Sequence, residues 1–274
     1  GELGQYPKLM RHAVREQWAL HQSASLFVAA VAPDGAAARA GVVPGLAISS
    51  IAGRHPMRMQ NGMPTRLALI NSEEVIASAL AAGPLEFETV ARDGTRRQWS
   101  VAGRTSCPTR FEMSAEDEPQ AYADGEVVQV TAGMAAFTND NEDELAAVAA
   151  HELGHNILRH LQREEAAGTP NNYTRYLGRY SRISRKMEEE ADRLSVWLLV
   201  NAGYQPTAPV QFWQRFGPGH DSPHPFGRLH EPWRNRVAAI EDELRLMRAE
   251  RARNASARPA LLDQANVVPV VPAP

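Results

Sequence analysis

Two imidazoles and a carboxylate fall within five residues, His151-Glu152-Leu153-Gly154-His155. Four residues is just over one helical turn, so His151 and His155 leave one face of a helix about one turn apart. Two nitrogens so placed can share one zinc ion at about 2.0–2.1 Å. Glu152 stands three residues before His155, at the edge of that face, where it can take a proton from a water at the metal. Gly154 costs helix stability in mid-helix unless something approaches it closely. That argues against a surface helix that merely carries two histidines.

A catalytic zinc takes three protein ligands and keeps one position open. Cys107 is the single cysteine. It excludes an internal disulfide and a cysteine-based zinc site, so any metal must be held by histidine and carboxylate. The run Met187-Glu188-Glu189-Glu190-Ala191-Asp192-Arg193-Leu194 offers three glutamates. At about 100° per residue, Ala191, Leu194, Leu198 and Leu199 form one apolar arc, and Glu188 falls inside it. A carboxylate on a buried face needs a strong partner, and zinc would serve. Glu189 points toward Arg193, four residues on, as an ordinary surface pair. Glu190 lies beside Trp197, outside the arc, and like Glu189 reads as a solvated charge. Asp192, one turn beyond Glu188, is placed to accept the free N–H of a ligand histidine. The reading is one zinc per chain, held by His151, His155 and Glu188, with Asp192 behind them.

These residues need two helices to present them. Asn141–Glu165 has Asn and Asp near its start, an Ala-rich body and Gly168 just past its end, which predicts one long helix. A second covers Met187–Asn201 and closes at Gly203. Thr169–Lys186 and Gly217–His230 read as loops, Pro232–Arg251 as a charged amphipathic helix, and 255–274 as an extended or disordered tail. Upstream, Phe111–Ser114 and Glu126–Thr131 are strand candidates. Residues 5–21 can form a short helix. Between about residues 23 and 103 the texture is β-rich, with runs at Leu26–Val31 and Ile48–Ile51. A helix at Ser72–Ala82 follows, capped by Ser72. A hairpin then joins Leu85–Ala91 to Arg97–Val101 through Arg92-Asp93-Gly94-Thr95.

The chain has 274 residues, 43% hydrophobic, with a formal net charge of −3. That length suits two domains. The charge balance gives no reason to expect nucleic acid or an anionic membrane as partner. No apolar run is long enough to span a bilayer. The first residue is Gly rather than Met, so the expectation is that an upstream segment, such as a signal peptide or a lipid anchor, has been removed.

Two family resemblances follow from these residues. The stretch Phe27-Val28-Ala29-Ala30-Val31-Ala32-Pro33-Asp34-Gly35, continuing through Ala40-Gly41-Val42-Val43-Pro44-Gly45-Leu46-Ala47-Ile48, resembles a circularly permuted bacterial PDZ domain over residues 23–103. Leu46 replaces the usual Asp, and Ser23-Ala24-Ser25-Leu26 lacks the glycine of the carboxylate-binding loop. The resemblance implies a peptide added as a strand along Phe27, Val28 and Ala29, or a module that only orients or shields its neighbour. The second resemblance is to the family-48 zinc metallopeptidases, the gluzincins related to the CAAX prenyl protease, HtpX and BepA. It rests on His151–His155 followed by Glu188-Glu189-Glu190-Ala191-Asp192, with Glu144-Leu145-Ala146-Ala147-Val148 and Leu158-Arg159-His160 as flanks.

The second resemblance implies an α+β fold: a mainly helical zincin-type domain with a small sheet, from 1–22 and 104–254, with the PDZ-like domain 23–103 inserted. It implies an edge strand, Val127-Val128-Gln129-Val130, that pairs with extended substrate. It also implies a late His, six residues before an Arg, that helps bind the oxyanion. His230 and Arg236 keep that spacing and are the favoured pair, while His224-Pro225 keeps the dipeptide. The implied activity is zinc-dependent cleavage of protein substrates, with Glu152 as general base, in the bacterial periplasm or envelope. The rival reading is a latent or inactive relative that binds peptides or acts as a chaperone. His160, five residues after His155, points elsewhere on a continuous helix and reads as structural.

Overall fold

A computed structural model of the chain describes residues 2–3, 6, 8–56, 67–104, 109–139, 141–169, 178–220 and 231–265. The chain divides into two compact units, Gly1–Ser106 and Cys107–Pro274.

The first unit runs α1 (Arg11–Gln17), β1 (Leu26–Phe27), α2 (Ala36–Arg39), β2 (Ala47–Ile51), α3 (Leu67–Ala82), β3 (Leu85–Val90) and β4 (Arg96–Val101). Its strands form one antiparallel sheet in the order β1-β2-β3-β4. The β3–β4 hairpin forms where Gly94 supplies a φ of +88° and the Asp93 carboxylate accepts the Thr95 N–H at 2.9 Å. Helix α3 starts at Leu67, before the expected Ser72 cap. Ser72 lies inside the helix, and its hydroxyl donates to the Ala68 carbonyl at 2.7 Å.

Residues 1–22, expected to complete the peptidase domain, join this first unit instead. Leu3 and Leu20 are buried with Phe27, Ala47 and Val90, with Val14 and Trp18 packed on them. The apolar residues of the short helix thus find their partners in the neighbouring sheet. The proposed peptide strand also differs from expectation. Glu2 bridges Leu26 on the free side of β1, and the Glu2 carboxylate accepts the Leu69 N–H at 2.9 Å. Phe27 is buried in the core, and Val28 and Ala29 lie beyond the strand's end.

The second unit opens with β5 (Arg110–Ser114), β6 (Ala121–Ala123) and β7 (Val127–Thr131). Strand β5 pairs with β7 in parallel and β6 pairs with it antiparallel, giving the order β5-β7-β6. Val127, Val128, Gln129 and Val130 therefore form the central strand, bonded on both sides, and not the expected edge. The edges are β5 and the short β6, whose Ala-Tyr-Ala sequence carries little strand signal. Val128 and Val130 turn inward onto Met134, Val148 and Phe212.

The helices follow: α4 (Ala132–Thr138), α5 (Glu142–Ile157), α6 (His160–Ala166), α7 (Gly178–Ala202), α8 (Ala208–His220), α9 (Trp233–Arg253) and α10 (Leu261–Ala265). The Asn141 side chain caps α5 by accepting the Glu144 N–H at 3.2 Å. The expected helix over Asn141–Glu165 breaks at Arg159, whose φ is +56°. Helix α7 begins nine residues earlier than Met187, inside the supposed loop. Helix α8 was not foreseen, because Gly217 and Pro218 read as loop. Here Gly217 is the contact that lets the Trp233 ring lie on α8, since a Cβ would stand 2.3 Å from it. Part of the supposed tail is helical, and Leu261 of α10 is buried with Leu158 and Leu194. Among the described residues, no helix is long and apolar enough to cross a membrane.

Candidate active site

The site is built where α5 meets α7. Gly154 makes the approach possible: a Cβ there would stand 3.2 Å from the Ala191 Cα and 3.3 Å from its carbonyl oxygen. Those are backbone atoms and cannot rotate away. With the helices so close, the Nε2 atoms of His151 and His155 face each other at 3.1 Å. The Glu188 carboxylate closes the third side, with Oε2 3.5 Å from His151 Nε2 and Oε1 3.5 Å from His155 Nε2. Donor atoms of His151, His155 and Glu188 all lie within 4.8 Å of one another and could hold a metal ion. The three side chains are 14–18% exposed, so the group is recessed but reachable. Glu152, next to His151 on α5, is half-buried, and its charge acts on Arg236.

Each histidine turns its other nitrogen to a support. His151 Nδ1 lies 2.9 Å from Asp192 Oδ1. Asp192 is gripped from behind by Arg236 of α9, through Nε at 2.6 Å and Nη2 at 2.7 Å. Arg236 is itself buried, stacked 3.8 Å from the centre of the Trp213 ring. Burial works against a charge on Asp192, but the guanidinium beside it prevails and holds its carboxyl below the usual range. Burial likewise opposes a charge on His151, and the hydrogen bond it donates to Asp192, with that carboxylate's charge, outweighs it, raising the imidazole to about 10.

His155 Nδ1 lies 2.9 Å from His160 Nδ1. His160 Nε2 lies 3.2 Å from Glu190 Oε2, which also accepts from Arg163 Nη1 at 2.6 Å. His160 is 3% and Glu190 4% exposed. Burial and the neighbouring His151 push His155 down to about 3. Burial raises Glu190, but His160 and Arg163 overcome it and hold the carboxyl at about 2.

The structure thus brings together His151, His155, Glu188 and Asp192, with Glu152 beside them. Arg236, expected to work with His230, is occupied instead with Asp192 and Glu188, the latter at 3.5 Å. It positions those groups. His230 and His224 lie outside the described residues. Glu189 is 52% exposed and sits 3.7 Å from Arg193, as its surface reading required. Glu190 does not fit that reading. Helix α7 is packed against α5, α6, α8 and α9, so a single apolar arc understates its buried face. His160 was set aside on the assumption of a continuous helix, which Arg159 interrupts.

Over residues 84–177 the chain matches the model of Peptidase family M48. That span holds His151, Glu152 and His155 and stops short of Glu188. Over 171 residues the chain is 26% identical to mitochondrial metalloendopeptidase OMA1 of Schizosaccharomyces pombe, an alignment covering 54% of this chain and 50% of that protein. The chain therefore spans about half the length of that curated relative. Both likenesses support a metallopeptidase of family M48. The place of Glu188 beside the two histidines, beyond the matched family span, rests on the geometry above.

Proposed function

We propose that this chain is a zinc-dependent endopeptidase acting on protein substrates. One observation carries the reading: two Nε2 atoms and a carboxylate converge while the remaining nitrogen of each histidine is held by a partner. Nitrogens bound at about 2.0–2.1 Å to a tetrahedral zinc stand about 3.3 Å apart, and an oxygen at about 2.0–2.2 Å stands at nearly the same distance. The separations of 3.1 and 3.5 Å support that fit. Among the described residues the cluster offers three donor side chains, the number a catalytic zinc takes from its protein.

Bound there, zinc would polarise a peptide carbonyl and make a nearby water acidic enough to attack. The chain's own residues do the rest. His151, His155 and Glu188 orient the ion. Glu152 takes the water's proton and delivers it to the leaving amine. Asp192 and Arg236 hold His151 in the tautomer that presents Nε2. Glu152→Gln keeps the ligands and loses the base, so zinc content should stay at wild type while peptide cleavage falls by roughly 10²–10⁴-fold. Casein or peptide-library cleavage with matched metal analysis checks this. Cleavage at the wild-type rate would sink the mechanism.

The PDZ-like reading of residues 23–103 is supported by the four-stranded antiparallel sheet and its flanking helices. Any peptide adding to β1 must displace Glu2 and Leu3. Removing residues 1–6 should therefore strengthen peptide binding to the full chain, read by fluorescence polarisation. Unchanged binding argues for a module that only orients or shields. An envelope location rests on the combined resemblances, and cell fractionation tests it.

A further inference from the structure

We propose that His160 is a positioning residue for the metal centre: it accepts the Nδ1–H of His155, and Glu190 with Arg163 holds it in the state that can accept. The inference rests on the zinc reading above and adds residues that the ligand set does not contain.

The geometry fixes the proton positions. If His155 offers Nε2 to the ion, its one proton must sit on Nδ1. The nearest acceptor is His160 Nδ1, at 2.9 Å, with the two rings edge to face at 83°. An imidazole that accepts at Nδ1 carries its own proton on Nε2. That Nε2 faces Glu190 Oε2 at 3.2 Å, and Glu190 is an obligate acceptor once ionised. Arg163 donates to the same oxygen at 2.6 Å, which keeps the carboxylate charged and in place. His155 Nδ1–H, His160 Nε2–H and Arg163 Nη1–H then each meet an acceptor. The reverse tautomer of His160 would set two N–H groups against each other at His155 and turn a bare nitrogen toward a carboxylate.

The local backbone serves the same end. On a continuous helix a residue five positions on lies about 140° away from His155. The left-handed Arg159 ends α5, and α6 restarts with His160 turned back onto His155. Arginine is strained in that conformation, as glycine would not be. His160 is almost fully buried, so no solvent can replace it as acceptor.

The test is metal affinity of the full chain, independent of cleavage. Metal-free protein is titrated with zinc against a chromogenic chelator, and with cobalt(II), whose visible absorption reports coordination geometry. His160→Gln sets its amide near the position of Nε2 and leaves His155 Nδ1–H without an acceptor. It should weaken zinc binding by roughly 10–100-fold and alter the cobalt spectrum. His160→Asn sets an oxygen near the position of Nδ1 and should recover affinity to within a few-fold. Glu190→Ala leaves both histidines in place and releases His160. It keeps the test open if a His160 variant does not fold, and it too should weaken zinc binding. Wild-type affinity and an unchanged cobalt spectrum in Glu190→Ala, or in a folded His160→Gln, would overturn the proposal, whatever the change in thermal stability. A wild-type chain that takes up no zinc would overturn the functional reading itself.

Discussion

His151 and His155 sit one turn apart on the same helix, yet they are supported in opposite ways. His151 rests directly on a carboxylate whose countercharge, Arg236, is buried. His155 rests on a neutral ring, and its carboxylate stands one residue further out, paired with Arg163, which is a quarter exposed. The same burial therefore ends in opposite results, with His151 raised to about 10 and His155 lowered to about 3. The difference lies in Asp192, whose carboxylate is hydrogen-bonded to His151 and offsets its burial, and in His151 itself, whose charge adds to burial in pushing His155 down. Held by Asp192 and by His160, each Nδ1 is engaged, and both Nε2 atoms are left for one ion.

The largest expected effect breaks this comparison on its buried side. Asp192→Ala leaves Arg236 inside the protein without its bidentate partner, and should cost about 3–5 kcal/mol of stability. Glu190→Ala should cost clearly less, because Arg163 can turn to water. Denaturant unfolding of the two metal-free variants decides it, and equal losses would show that depth does not separate the supports. A smaller effect should strike both supports at once. Gly154→Ala drives a methyl into the Ala191 backbone and parts α5 from α7, which carries both Asp192 and Glu190. Overpacking of about 1–3 kcal/mol against about 1 kcal/mol gained in helix propensity leaves a net loss of up to about 2 kcal/mol. Zinc affinity should fall with it. A variant as stable as wild type, with unchanged zinc titration, would show that the close approach is not what sets the site.

What could be read from the chain, and what could not, divides along the same line. Residues bound by local periodicity were legible. The spacing of His151 and His155 places them on one face, and the apolar arc of α7 singles out Glu188 with Asp192 a turn beyond. Features set by distant partners were not. Glu190 is buried because α7 is enclosed by four helices, which no wheel of α7 alone reveals. Val127–Val130 lies at the sheet centre because Ala121–Ala123, too short and small to announce itself, pairs on its second side. Residues 1–22 pack into the first unit because of where Leu3 and Leu20 find apolar neighbours. His160 was missed for a sharper reason. Its helix breaks at an arginine, and nothing in Leu158-Arg159-His160 marks a turn.

That break at Arg159 has a mechanical consequence. Had α5 run on, residue 160 would face away from His155 and the two rings could not meet. Set off by Leu158 and the left-handed Arg159, α6 instead links His155 of α5 to Glu190 of α7 through His160. One short helix thus clasps the two that meet at Gly154, joining them through polar side chains as well as by close backbone approach.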